Sequence, residues 1–107
     1  MKIFIPFLQR FEEPMLNGTK TMTSRSKKYG EAGDTFDAFG ATFKIIEVGR
    51  LRLGDIAGYW KDEGMQSLED FENTWKQIHP YRTYNLEDYF YYHKFKRVDN
   101  HDPNRPD

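Results

Sequence analysis

The chain has 107 residues, 17% of them aromatic, with a formal net charge of -1 and no cysteine. That length supports a single domain with one core, and the balanced charge gives no global case for a nucleic-acid partner, which would have to rest on local segregation. The lack of cysteine excludes disulfides and thiolate metal sites and fits a reducing cytoplasm, the predicted location.

The opening MKIFIPFLQRF holds too short an apolar run for a signal peptide or a membrane span. Ile3 and Ile5 alternate before Pro6, which predicts a first strand over residues 2–6. Leu8, Phe11, Met15 and Leu16 then follow at helical spacing. Pro14 is comfortable only in a helix's first turn, so a short helix is predicted, stopped by Asn17-Gly18.

Residues 17–30, NGTKTMTSRSKKYG, carry four Lys or Arg and no acid. Thr19, Thr21 and Thr23 alternate and favour a strand. A Thr-rich strand with cations is also what a solvated, guarded sheet edge looks like. If it is a ligand strand, Thr21, Thr23 and Arg25 share one face and offer two hydroxyls and a planar cation. Lys20 stands three residues before Thr23, so the two meet only if Lys20 sits on the turn after the helix or a bulge intervenes. Lys27 and Lys28 read either as phosphate contacts or as loop solubilisers.

YGEAGDTF is a turn with Gly33-Asp34 at its tip. TFDAFG and ATFKIIEVGRLRL read as strands, and in the second the apolar parity changes from Phe43, Ile45 to Ile46, Val48. A bulge produces such a change and bends a sheet towards a barrel. GDIAGYW predicts a short helix capped by Asp55. SLEDFENTWKQIHP is the clearest helix, with an apolar stripe of Leu68, Phe71, Trp75 and Ile78, a cap at Ser67 with Asp70, and a stop at Pro80.

DYFYYHKFKRV predicts a strand buried on at least one face. Its Tyr89, Tyr91 and Tyr92 could stack bases, but a strand this aromatic is more often core. Residues 99–107 lack an apolar anchor and are predicted to be a disordered tail, leaving 1–98 as the domain. His79, His93 and His101 are scattered without paired acids, so no metal is expected. The acids Asp62, Glu63, Glu69, Asp70 and Glu72 return in the second half and are expected to face the basic run. The predicted class is α+β, a bent, mainly antiparallel sheet with two or three flanking helices.

Gly18, Lys20, Thr23 and Arg25, with Gly33-Asp34, EGMQSLEDF and the closing HKFKRV, resemble the ASCH family over residues 3–98. That resemblance implies a PUA-like β-barrel that handles RNA or nucleosides. Thr23 stands where the family more often has Glu. In this it is similar to a bacterial branch acting as N(4)-acetylcytidine amidohydrolase, although that branch tends to place an acid where Ser26 stands. Carried over by position, the resemblance implies Lys20, Thr23 and Glu63 as catalytic, with Thr21, Arg25, Lys27 and Lys28 binding substrate, and no cofactor.

For such chemistry a threonine hydroxyl needs a base within reach. Lys20 serves only when neutral; if it stays charged it stabilises the oxyanion, leaving Glu63 to protonate the leaving amine or position a water. The alternative is a non-catalytic module holding RNA or a nucleotide in the same cleft. Single-stranded RNA held by about three or four phosphates would show a log–log salt slope near -2 to -3, and a free nucleoside almost none. The expected partners are a modified nucleoside or single-stranded RNA, without membrane or metal, acting on a monomer or weak dimer.

Overall fold

The computed structural model describes residues 1–99. Most of the tail predicted over 99–107, with His101, falls outside the described residues. Among those residues there are five strands: β1 (Lys2–Ile3), β2 (Met22–Arg25), β3 (Thr35–Ala38), β4 (Ala41–Arg52) and β5 (Tyr89–Arg97). There are also three α-helices, α1 (Glu12–Leu16), α2 (Leu53–Gly58) and α3 (Leu68–Ile78). The sheet order is β1-β3-β4-β5-β2, with β1 parallel to β3 and the other pairs antiparallel.

This is the predicted α+β class, but the predicted barrel is not closed. β1 and β2 stand at opposite ends of the strand order and do not pair. The first strand, expected over 2–6, ends at Ile3, too short to supply a closing ladder. Phe7 instead packs against Phe36 (5.7 Å) and Phe95 (6.2 Å), and the Arg25 guanidinium donates to the Pro6 carbonyl at 2.6 Å. A side-chain tie thus stands where strand pairing would close a barrel.

The parity change in β4 is a bulge. Its register against β5 shifts between Ile45 and Glu47, and Ile46 is the surplus residue, half exposed while Ile45 is buried. Phe36, Phe43 and Phe95 form the centre of the core, with ring centroids 5.4–5.5 Å apart. Offset and edge-on aromatic packing of this kind adds to the burial of each ring.

A single 3-10 turn, Gln9–Phe11, leads into α1, where Pro14 occupies the first turn and costs no helical hydrogen bond. In α2, Asp55 lies inside the first turn and is not the cap. The first amides are satisfied by the main chain, Leu53 N–H to Asp88 and Gly54 N–H to Leu86. Ser67 caps α3 as predicted, its hydroxyl accepting from Asp70 N–H at 3.0 Å. The α3 stripe is buried at Phe71 and Trp75 but exposed at Leu68 and Ile78.

Candidate active site

β2 is an edge strand, and a cavity of about 420 Å³ runs along it, walled on the far side by α2 and α3. Lys20 is not on that strand. Its N–H closes the turn after α1 onto the Pro14 carbonyl (2.9 Å). Thr21 and Met22 N–H both donate to the Asp62 carbonyl, which pins the loop after α2 to the start of β2. Glu63 is thereby set beside Lys20, forty-three residues away in sequence.

The Lys20 ammonium is 2% exposed and donates to two main-chain carbonyls, Glu63 at 2.6 Å and Met22 at 2.8 Å. It lies 3.8 Å from Glu63 Oε1 and 4.4 Å from the centroid of the Phe11 ring. Glu63 is also buried, and its Oε2 accepts from Ser24 Oγ at 2.7 Å. Gly64, at φ +88°, lets the main chain pass this close. A Cβ there would come within 3.0 Å of the Lys20 side chain.

Burial pulls the Lys20 pKa down to about 8, with Arg25 acting the same way and the Glu63 carboxylate resisting. Burial pushes the Glu63 carboxyl up, against the pull of Lys20 and the Ser24 hydrogen bond. The two carbonyls account for both hydrogens of a neutral amine and leave its lone pair available. A charged Lys20 has a third hydrogen, for which Glu63 Oε1 is the nearby acceptor. One geometry therefore serves both protonation states.

Thr23 is buried on β2, and its Oγ1 accepts from Arg25 Nε at 3.1 Å. The Arg25 guanidinium lies 5.0 Å from the Phe7 ring and 5.4 Å from that of Tyr29. His93 of β5, fully buried, stands behind Thr23. Its Nε2 accepts from Tyr29 N–H (3.1 Å), so the ring is neutral and Nδ1 donates to the Thr23 carbonyl (3.2 Å). Burial lowers its pKa, in keeping with that state.

Lys20, Thr23, Arg25, Lys27 and Glu63 all line this cavity, together with Ser24. Thr21 and Lys28 are not in its lining. Thr21 stands one residue ahead of β2, and its carbonyl accepts from Phe95 N–H in register with the β2–β5 pairing. Lys28 is paired with Glu31. Of the second-half acids, Glu63 meets the basic run, whereas Asp70 binds Arg10 (2.8 Å). No hydrogen bond links the Lys20 amine to the Thr23 hydroxyl among the described residues.

Sequence reading passed over Ser24 and His93. Nothing local marks either one, because their partners come from the loop at 59–64 and from residues 23 and 29. Among the described residues no group of three or more His, Cys, Asp or Glu is placed to hold a metal, and no helix is long and apolar enough to cross a membrane.

No family model and no curated protein matches the chain. Solved structures do. An ASCH domain from Lactobacillus crispatus JV V101 aligns with 90% of this chain and 78% of its own length, at 12% identity and a TM-score of 0.60. The fold is that of an ASCH domain. Protein EF3133 from Enterococcus faecalis V583 shares the ASCH-type fold at a TM-score of 0.64 and 16% identity, over 91% of this chain and 74% of that one. The hypothetical protein PH0355 aligns with a TM-score of 0.70 and 14% identity over 92% of this chain and all of its own. At such identities the shared property is the arrangement of strands and helices.

Proposed function

We propose that this ASCH-fold chain binds a modified nucleoside in the β2 cavity and removes the acyl group of N(4)-acetylcytidine or a related N-acylated base. The observation that carries this reading is the meeting, on one cavity wall, of a buried lysine with a pKa of about 8, a threonine hydroxyl and a buried carboxylate. A volume of about 420 Å³ falls in the range of small-molecule sites, and aromatic walls with few polar groups suit a base.

In the neutral state Lys20 takes the proton of the attacking oxygen, from Thr23 or from a water. Arg25 Nε already occupies one lone pair of Thr23 Oγ1, which fixes the hydroxyl on the cavity wall. The oxygen adds to the acyl carbon and the C–N bond breaks, with a proton passing to the departing cytosine amine. If Thr23 is the nucleophile, a water then cleaves its acyl ester. The net reaction consumes one water and yields cytidine and a carboxylate, with no cofactor.

A second reading, binding without chemistry, is favoured by one feature. Lys20 and Arg25 both spend donors on main-chain carbonyls, which suits cations that build a wall. Incubating N(4)-acetylcytidine with the pure protein and chromatographing for cytidine separates the two. Turnover that falls at least about a hundredfold in Thr23→Ala and Lys20→Ala supports hydrolysis. Absence of turnover by folded wild-type protein defeats it and leaves the cavity as a binding site.

A further inference from the structure

The cavity has a second end, away from Lys20 and Glu63. Thr23 opposes His93 across β2 and β5, and Arg25 opposes Tyr91. Phe90, the next residue along β5, lines the cavity three residues from His93, about 10 Å further along the strand. The C-terminal turn of α3 packs against it there. The Trp75 and His79 rings lie 6.1 Å and 6.4 Å from the Phe90 ring, and both line the cavity. Ser26 and Lys27 complete this end from the β2 side.

Two contacts fix the half-buried His79 ring. It stacks on the Trp75 indole, with centroids 4.2 Å apart and planes at 25°, and its Nδ1 lies 2.9 Å from the Trp75 carbonyl. A carbonyl only accepts, so Nδ1 carries the hydrogen, and in the neutral ring Nε2 is left as an acceptor. That nitrogen has no hydrogen-bond partner among the described residues, where no buried side-chain nitrogen or oxygen goes unpartnered, so Nε2 is open. The main-chain N–H of His79 already donates to the same Trp75 carbonyl at 2.9 Å, so the end of the helix does not need the imidazole. Phenylalanine would serve the packing as well. An oriented, open acceptor beside a ligand cavity calls for a donor on the ligand.

We infer that His79 reads the sugar of the substrate: its Nε2 accepts a hydrogen bond from a ribose hydroxyl, which makes the site selective for the nucleoside over the free base. The inference rests on the nucleoside reading of the cavity and deepens it. In an N(4)-acylcytosine the amide leaves the ring at C4 and the sugar at N1, directly across it. With the amide at Lys20, Thr23 and Glu63, the sugar falls toward Phe90 and His79. Of the other polar groups at that end, the Lys27 ammonium can only donate, and Ser26 is exposed beyond the end of β2. His79 Nε2 is the acceptor there whose direction the fold fixes. A sugar hydroxyl is the donor that the substrate carries on that side.

The test compares steady-state turnover of N(4)-acetylcytidine and of N(4)-acetylcytosine, which lacks the sugar, by wild type and His79→Phe. Phenylalanine keeps a ring on Trp75 and loses the acceptor, and each protein is first checked for a cooperative melt. Wild type is expected to favour the nucleoside about tenfold in kcat/KM, the worth of one hydrogen bond to a fixed partner, and this preference is read without any variant. In His79→Phe the nucleoside should lose that advantage through KM, with kcat within about twofold, while the free base is unchanged. Calorimetric titration of the same two proteins with cytidine and with cytosine measures the contact without chemistry.

Equal losses on both substrates, or a nucleoside preference that survives in His79→Phe, overturn the sugar contact and leave hydrolysis standing. Turnover by wild type without any preference does the same. If folded wild type turns over neither substrate, hydrolysis fails and the titrations decide alone. Cytidine binding that weakens about tenfold in His79→Phe, with cytosine unaffected, then upholds the contact, and the lack of such a difference overturns it.

Discussion

Lys20 reaches Glu63 twice, 2.6 Å from its main-chain carbonyl and 3.8 Å from its carboxylate. The first contact fixes the amine in either protonation state, and the second favours the charged one. Burial outweighs that attraction and leaves the pKa at about 8. At pH 7 about one molecule in ten then holds the neutral amine that general-base chemistry requires.

The deacylation rate is therefore expected to climb about tenfold per pH unit below 8 and to level off above it. Lys20→Arg, which stays protonated, should abolish turnover at every pH tested. A wild-type profile that is flat from pH 6.5 to 9 would exclude Lys20 as the base.

Ser24→Ala removes the hydroxyl that donates to Glu63 Oε2. The buried carboxylate loses a partner that holds it ionised, so its pKa rises further. With less of the carboxylate that holds the Lys20 pKa up, the midpoint of the pH–rate profile should move below 8, with substrate affinity little changed. Steady-state kinetics across pH 6–9 would show it. An unchanged midpoint would mean that the Glu63 carboxylate does not set the protonation of Lys20.

Gly64→Ala and Gly33→Ala impose similar backbone strain, at φ +88° and +100°, in different surroundings. The new methyl at 64 meets Lys20 carbons within 3.0–3.1 Å, whereas at 33 it meets nothing within 4 Å. Both variants should lose about 1–3 kcal/mol of stability. Only Gly64→Ala should lose turnover, by tenfold or more. Equal activity in both would mean that Lys20 tolerates displacement.

His93 accepts from Tyr29 N–H through Nε2, and protonation would put two donors face to face. Its folded pKa lies below the ordinary 6.5, so the unfolded chain binds the extra proton first. The His93 contribution is thus fully present above pH 6.5 and is lost as the pH falls below it, by up to about 1.4 kcal/mol per unit. Urea midpoints at pH 7.5 and 5.5 should therefore drop more in wild type than in His93→Gln. A parallel drop in both would assign acid sensitivity elsewhere.

The local pattern of the chain settled a good deal. The apolar stripe stepping by three, four and three and Ser67 mark α3, the parity change at Ile45–Ile46 marks the β4 bulge, and Gly18 follows the end of α1 at φ +85°. These features depend on neighbours within one or two turns, which a sequence displays directly. Of the residues the ASCH resemblance singled out, Lys20, Thr23, Arg25, Lys27 and Glu63 line one cavity, whereas Thr21 and Lys28 do not. Tertiary structure decided the rest. Whether the sheet closed depended on the length of β1 and on how Phe7 and Arg25 fill the space between its edges. Lys20 faces Glu63 because Asp62 accepts from Thr21 and Met22, and no spacing in the chain encodes a contact across forty-three residues. The lowered pKa of Lys20 comes from burial, a property of the packed cavity wall and of no residue alone.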